Sequence, residues 1–247
     1  MSIHVHKAGL SKTTGQQSDA IYSTNLIGNF DPTAGIASTH WSNQAASNAL
    51  RRFNSITFNT SAPKNFQLDG TNDYLGEAAS GYGGTAFTMD TDSAFTVGQW
   101  YKHLNNYRHI AFSLSYSSSD VLYLSTGQHV ANKFSVTNDS GSRIDFSNYT
   151  FSHGTWYYIT LVYHGSNNYS FFVNGSFVGS GTLSTSSVTG AIVQIGKLAG
   201  STYTNNGIKV GHVHAHDVAL KNSQIRQNML ATHDINDART YGATYTA

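Results

Sequence analysis

Cysteine is absent from this 247-residue chain. No disulfide braces it, and neither thiol catalysis nor a thiolate metal site is open to it. Proline occurs only twice, and charged side chains make up 11% of the residues, below the roughly 25% of an average soluble domain. Glutamate is represented by Glu77 alone. The formal net charge is +1, and no basic cluster exceeds the pair Arg51-Arg52. Nucleic-acid binding relies on a basic footprint that neutralises phosphates, so that class is set aside. Runs of 18 consecutive apolar residues are also missing, and no membrane span is expected. The start, Met1-Ser2-Ile3-His4-Val5-His6-Lys7, has no apolar core of the secretory kind. No Gly-x-Ser-x-Gly elbow of a serine hydrolase occurs either.

What the chain does have is hydroxyl and amide side chains, 23 glycines, 15 tyrosines and 13 phenylalanines. Thr, Tyr, Phe and Val form strands, while Gly and Asn make turns. Short alternating runs recur at 94–103, 109–116, 121–126, 133–137, 143–146, 156–164, 169–173, 176–178, 191–195 and 209–216. Glycine, Asn-Gly or serine clusters separate them, and this spacing argues an all-β sandwich. In Phe171-Phe172-Val173-Asn174-Gly175-Ser176-Phe177-Val178, the Asn-Gly pair predicts a two-residue type I′ hairpin. One helix is expected after Leu220, capped by Asn222 or Ser223, with Ile225, Met229 and Leu230 on its apolar stripe. Residues 1–20 form a polar arm, 21–235 a single domain, and 236–247 a tail.

The three tryptophans fall in separate motifs: Asp31-Pro32 through Trp41-Ser42-Asn43-Gln44, Phe95-Thr96-Val97-Gly98-Gln99-Trp100, and Trp156-Tyr157-Tyr158-Ile159-Thr160-Leu161-Val162-Tyr163. With Phe66-Gln67-Leu68-Asp69-Gly70-Thr71-Asn72-Asp73-Tyr74-Leu75 and Val173-Asn174-Gly175, they occur in the order of a known family. The chain resembles the laminin-G-like, concanavalin A-like jelly rolls over residues 29–233. The resemblance implies two antiparallel sheets followed by a short C-terminal helix. It also implies a fold that binds or builds more often than it catalyses. Fold alone does not assign the ligand.

Candidate chemistry is sparse. A glycosidase needs two carboxylates across the scissile bond. The nearest approach is Asp90-Thr91-Asp92, whose carboxylates would share one face if the segment were a strand. Gln128-His129-Val130 resembles a strand motif of alginate-lyase-type enzymes, but the other signature strands are not recognisable. The chain is therefore expected not to be an enzyme. The resemblance implies no obligatory cofactor, but it does imply calcium at one rim of the sandwich. Asp90 and Asp92 are the candidates, whereas Asp69 and Asp73 read as turn residues. Val210-Gly211-His212-Val213-His214-Ala215-His216-Asp217 sets three imidazoles at i, i+2 and i+4, on one face of a strand. His212, His214 and His216 are either candidate transition-metal ligands or a hydrogen-bonded polar ladder facing a neighbour, sensitive to pH near 6.5. His4 and His6 repeat the pattern in the arm. Tyr82, Tyr203 and Asn205, in Gly/Asn-rich loops, are candidates for glycan contact.

A surface-type fold without cysteine or a visible signal fits a phage-type virion protein, made in the host cytoplasm and released by lysis. The first expectation is a structural or adhesion component such as a decoration, collar or fibre protein, partnered by other virion proteins or by itself as a homo-oligomer. The second is a lectin-like module for cell-surface glycans, with calcium at the rim.

Overall fold

The computed structural model describes residues 20–233, apart from residues 55, 62, 70, 77–84, 106, 117–118, 128–129, 199–200 and 203–206. The polar arm up to residue 19, the tail and residues Tyr82, Tyr203 and Asn205 lie outside the described residues. The strands of the first half are β1 (Leu26–Phe30), β2 (His40–Ser42), β3 (Asn48–Phe53), β4 (Thr57–Asn59), β5 (Asn65–Leu68), β6 (Tyr74–Gly76), β7 (Thr85–Ala86) and β8 (Thr88–Met89). Then come β9 (Phe95–His103), β10 (His109–Tyr116), β11 (Ser119–Thr126), β12 (Phe134–Asn138), β13 (Arg143–Asp145) and β14 (Trp156–Tyr163). The last are β15 (Asn168–Val173), β16 (Ser176–Thr182), β17 (Ala191–Gln194), β18 (Lys197–Leu198), β19 (Ser201–Thr202) and β20 (Ile208–His216), followed by helix α1 (Asn222–His233).

Two antiparallel sheets make the sandwich. The larger runs β16-β15-β14-β9-β20-β5-β4, with β1 also paired to β20. The smaller runs β13-β12-β11-β10-β17-β8. Leu75 and Ile195 exchange backbone hydrogen bonds of 3.0 and 2.7 Å, which joins the smaller sheet to the β2-β3-β6 sheet. Phe95, Val97, Tyr101, Ile159, Leu161, Phe171, Phe112, Leu124 and Val136 belong to one buried cluster between the sheets. A second cluster contains Trp100, Trp156, Tyr158, Val162 and Phe172 together with Ile225 and Met229 of α1. Alternation therefore still holds in β9 and β14, but both of their faces are buried because α1 covers the outer one.

The Asn-Gly hairpin forms as its sequence predicts: Asn174 and Gly175 have φ of 50° and 73°, and Val173 pairs with Ser176. The helix is in place, but its cap differs from expectation. Gln224 and Ile225 donate their backbone N–H to the Lys221 carbonyl, each at 3.0 Å. The Gln224 Oε1 accepts the Lys221 N–H at 2.7 Å. Lys221 is thus the capping position, and the reciprocal Gln bond replaces the side-chain cap expected from Asn222 or Ser223.

Candidate functional site

Where the histidine strand points is set by a bulge. Val210 pairs with Tyr101 and Val213 with Gln99, so Gly211 and His212 together oppose Trp100. The extra residue resets the alternation. Ile208, Val210, Val213 and Ala215 all join the inter-sheet core, and His214 and His216 turn outward beneath α1. Here Asn228 Nδ2 donates to His216 Nε2 at 3.1 Å and reaches His214 Nδ1 at 3.5 Å. The Tyr158 hydroxyl is hydrogen bonded to His214 Nε2. His216 Nδ1 donates to the Thr24 carbonyl at 3.3 Å, and His212 Nε2 donates to Asn29 Oδ1 at 2.6 Å. The Asn228 Oδ1 in turn accepts the Tyr22 N–H at 2.7 Å.

The three rings are engaged within the fold, as a polar ladder whose neighbour is the chain's own helix and entry segment. Burial pushes His212 down to about 4 against the opposing pull of Asp31. Burial likewise pushes His216 down to about 4. His214 falls well below the ordinary value through burial and the two flanking imidazoles. The neutral rings therefore stay neutral well below pH 6.5, and their titration cannot act there as a switch in the folded protein.

A second set of imidazoles closes one end of the core. His103 and His109 pack edge to face at 4.3 Å, His103 and His153 lie 5.1 Å apart, and Phe151 packs against His103. The His109 Nε2 is hydrogen bonded to Asn105 Oδ1 at 2.9 Å. Burial first, then the neighbouring imidazoles, lowers His103 to about 3 and His109 to about 4. Sequence spacing gave no hint of this trio, because its members come from β9, β10 and the loop before β14. Among the described residues no group of three or more His, Cys, Asp or Glu is arranged to hold a metal ion.

A concave feature of the described surface brings several chemical groups together. A cleft of about 490 Å³ opens at a rim of the sandwich. Phe87, Met89 and Phe95 are buried at its base, with Leu26 and Ile27 beside them. Asn48, Thr88, Asp90, Ser93 and Asp217 supply its polar lining. Four segments meet here, β1, the start of β3, the stretch from Phe87 to Phe95 and Asp217, drawn together because the end of β20 pairs with both β1 and β9. Gly28 makes the close approach of β1 possible, since a Cβ there would sit 2.5 Å from the Phe87 ring.

Asp90 and Asp92 do not share a strand face. β8 ends at Met89, and residues 91–93 form a bend. Thr91 is buried in the bend, its hydroxyl donating to the Ser186 carbonyl at 2.7 Å. Asp90 Oδ1 accepts the Gly190 N–H at 2.8 Å and the residue lines the cleft, whereas Asp92 is not among the lining residues. The second cleft carboxylate is Asp217, which sequence reasoning passed over as the end of the histidine run. Asp69 and Asp73 are turn residues: Asp69 Oδ1 accepts the Thr71 N–H at 2.8 Å, and buried Asp73 accepts the Asp69 N–H at 3.1 Å.

Two stacked antiparallel sheets with an outer helix and a rim cleft define a lectin-like sandwich of the concanavalin A type. The chain belongs to that family: the Laminin_G_3 model of the concanavalin A-like lectin/glucanases superfamily matches residues 69–226. No curated protein sequence matches the chain. Among solved structures, the chain is similar to a botulinum neurotoxin type C structure whose cell entry depends on interaction with two ganglioside molecules. That match has a TM-score of 0.64 at 10% identity, covering 85% of this chain and 52% of that one. It is also similar to Trypanosoma rangeli sialidase in complex with sialic acid, at a TM-score of 0.67 and 14% identity over 88% of this chain and 35% of that one. The chain thus spans about half and about a third of those two proteins. At such identities the likeness establishes the fold.

Proposed function

We propose that this protein is a non-enzymatic adhesion module that holds a glycan in the rim cleft. The observation that carries this reading is the pairing of an apolar patch, half-buried Leu26 and Ile27 backed by buried Phe87, Met89 and Phe95, with a rim of amide, hydroxyl and carboxylate groups. A sugar ring has the matching character, with a C–H face and an edge of hydroxyls, and few well-placed polar groups over an apolar surface fix such ligands. The family supports glycan binding in general, as do structural neighbours that interact with gangliosides or hold sialic acid. The buried imidazoles lie under α1 and in the core, and none of them lines the cleft.

The test is binding of the purified protein to a panel of surface polysaccharides and oligosaccharides, with calcium and then with EDTA. Saturable binding is expected, weakened at least tenfold by Asn48→Ala combined with Ser93→Ala, a change worth about 1.4 kcal/mol. Binding that survives those substitutions unchanged removes the cleft as the site. Loss of binding in EDTA would make the glycan site dependent on a divalent cation.

The setting that fits the sequence is a phage-type particle, in which the module would serve as a decoration, collar or fibre component, contacting other virion proteins or further copies of itself. The low charge and the absence of cysteine support it, together with exposed Tyr107, Tyr116 and Phe177 as contact points on the described surface. Purified particles that lack the chain by mass spectrometry would remove this setting and leave the glycan reading intact.

A further inference from the structure

Resting on the glycan reading of the cleft, we propose that Asp90 and Asp217 make it selective for neutral and amino sugars and exclude acidic ones such as sialosides and uronates. Among the described residues, the lining includes two carboxylates and no Lys, Arg or His. Recognition of a sugar carboxylate calls for the opposite arrangement, a guanidinium or ammonium able to form charge-assisted hydrogen bonds. Both aspartates are solvent-exposed at the rim, so they meet an entering ligand first.

The orientation of Asp90 is fixed. Its Oδ1 is taken by the Gly190 N–H at 2.8 Å, which leaves the other oxygen for a ligand hydroxyl or ammonium. Asp217 is held by its backbone, whose N–H donates to the Asn25 carbonyl at 3.1 Å. Two acceptor-only groups on the rim select donors, and every neutral sugar presents hydroxyl donors. An amino sugar adds an ammonium, which a carboxylate-lined cleft attracts. An acidic sugar brings a third negative charge into a cleft whose described lining has no cation to offset it, and like-charge juxtaposition is a means of excluding a wrong partner. The specificity determinants are thus two residues far apart in sequence, whose neighbourhoods are brought together by the pairing of β9 with β20.

The experiment compares four probes by calorimetry in EDTA: malto-oligosaccharide, chitosan oligosaccharide, oligogalacturonate and sialyllactose. A wider panel of neutral and acidic glycans extends the series. Wild type is expected to bind a neutral or amino-sugar probe at least about tenfold tighter than any acidic one. The double variant Asp90→Asn, Asp217→Asn is expected to retain neutral binding within about threefold, lose the amino-sugar advantage and bring acidic probes to within about threefold of neutral ones. A matching thermal midpoint establishes that this variant is folded, and Asp217→Asn alone, which spares the Gly190 bond, serves if it is not. Equal or tighter binding of an acidic probe by wild type overturns the selectivity and leaves the glycan reading standing. A folded variant with unchanged discrimination overturns the role of the two aspartates. No binding of any glycan, with or without calcium, overturns the glycan reading and this inference with it.

Discussion

Asn228 joins three parts of the chain through one amide. Its carbonyl oxygen takes the Tyr22 N–H, and its nitrogen serves His216 and reaches His214. The side chain is fully buried, so water cannot replace any of these bonds, and an unsatisfied buried polar group is destabilising by about 1–3 kcal/mol. Asn228→Leu leaves a backbone N–H and an imidazole nitrogen without partners at once. We expect a loss of about 2–4 kcal/mol, which for a chain of this size is a fall in Tm of about 4–16 °C, on the scale of 2–4 °C per kcal/mol. A thermal melt that shifts by less than a degree would mean that the network does not hold the helix. At this scale the sequence was uneven. Asp90 could be singled out from its own neighbourhood, but Asp217 could not, because its role comes from a strand pairing that sequence spacing does not reveal.

Elements were more legible than the contacts between them. The Asn174-Gly175 hairpin follows from local physics alone, since only residues tolerant of positive φ fit both central positions, and the observed angles of 50° and 73° agree. Helix α1 was visible from the stripe of Ile225, Met229 and Leu230. Its cap was misplaced by one or two positions because Lys221 caps through its backbone, with Gln224 supplying the side-chain bond. For β20 the alternation of His212, His214 and His216 was plain, yet the face they occupy was not. Strict alternation from Ile208 and Val210 would have sent these histidines into the core. The bulge at Gly211-His212 sends Val213 and Ala215 there instead. A glycine beside the histidine run was the available signal, since a lone glycine inside a strand pattern often marks a bulge.

For the whole molecule, the buried histidines tie stability to pH. His103 is lowered to about 3, and His109, His212 and His216 to about 4, with His214 also lowered. Burial is the leading cause in each case, and His214 adds the flanking His212 and His216. In the unfolded chain each takes a proton below about 6.5. Between those limits the unfolded state binds more protons than the folded one, so stability rises with pH. It is full above about 6.5 and declines as the pH falls toward 4, at up to about 1.4 kcal/mol per pH unit for each histidine kept neutral. Urea unfolding at pH 7.5 and pH 5 should show a markedly lower midpoint at pH 5. Equal midpoints would mean that these rings are solvated or protonated in the folded protein.

The sequence by itself determined the class of fold, the order of most strands, the hairpin, the presence of the helix and the exclusion of thiol chemistry. These follow from short-range preferences for turns, alternation and composition, which act within a few residues. Tertiary structure decided which face the histidines take, which imidazoles meet at the end of the core, and which aspartates share a cleft. Those are long-range facts: they depend on strand pairings between segments more than a hundred residues apart, such as β1 with β20 and β9 with β20, and on one inserted residue that reverses the facing of everything after it.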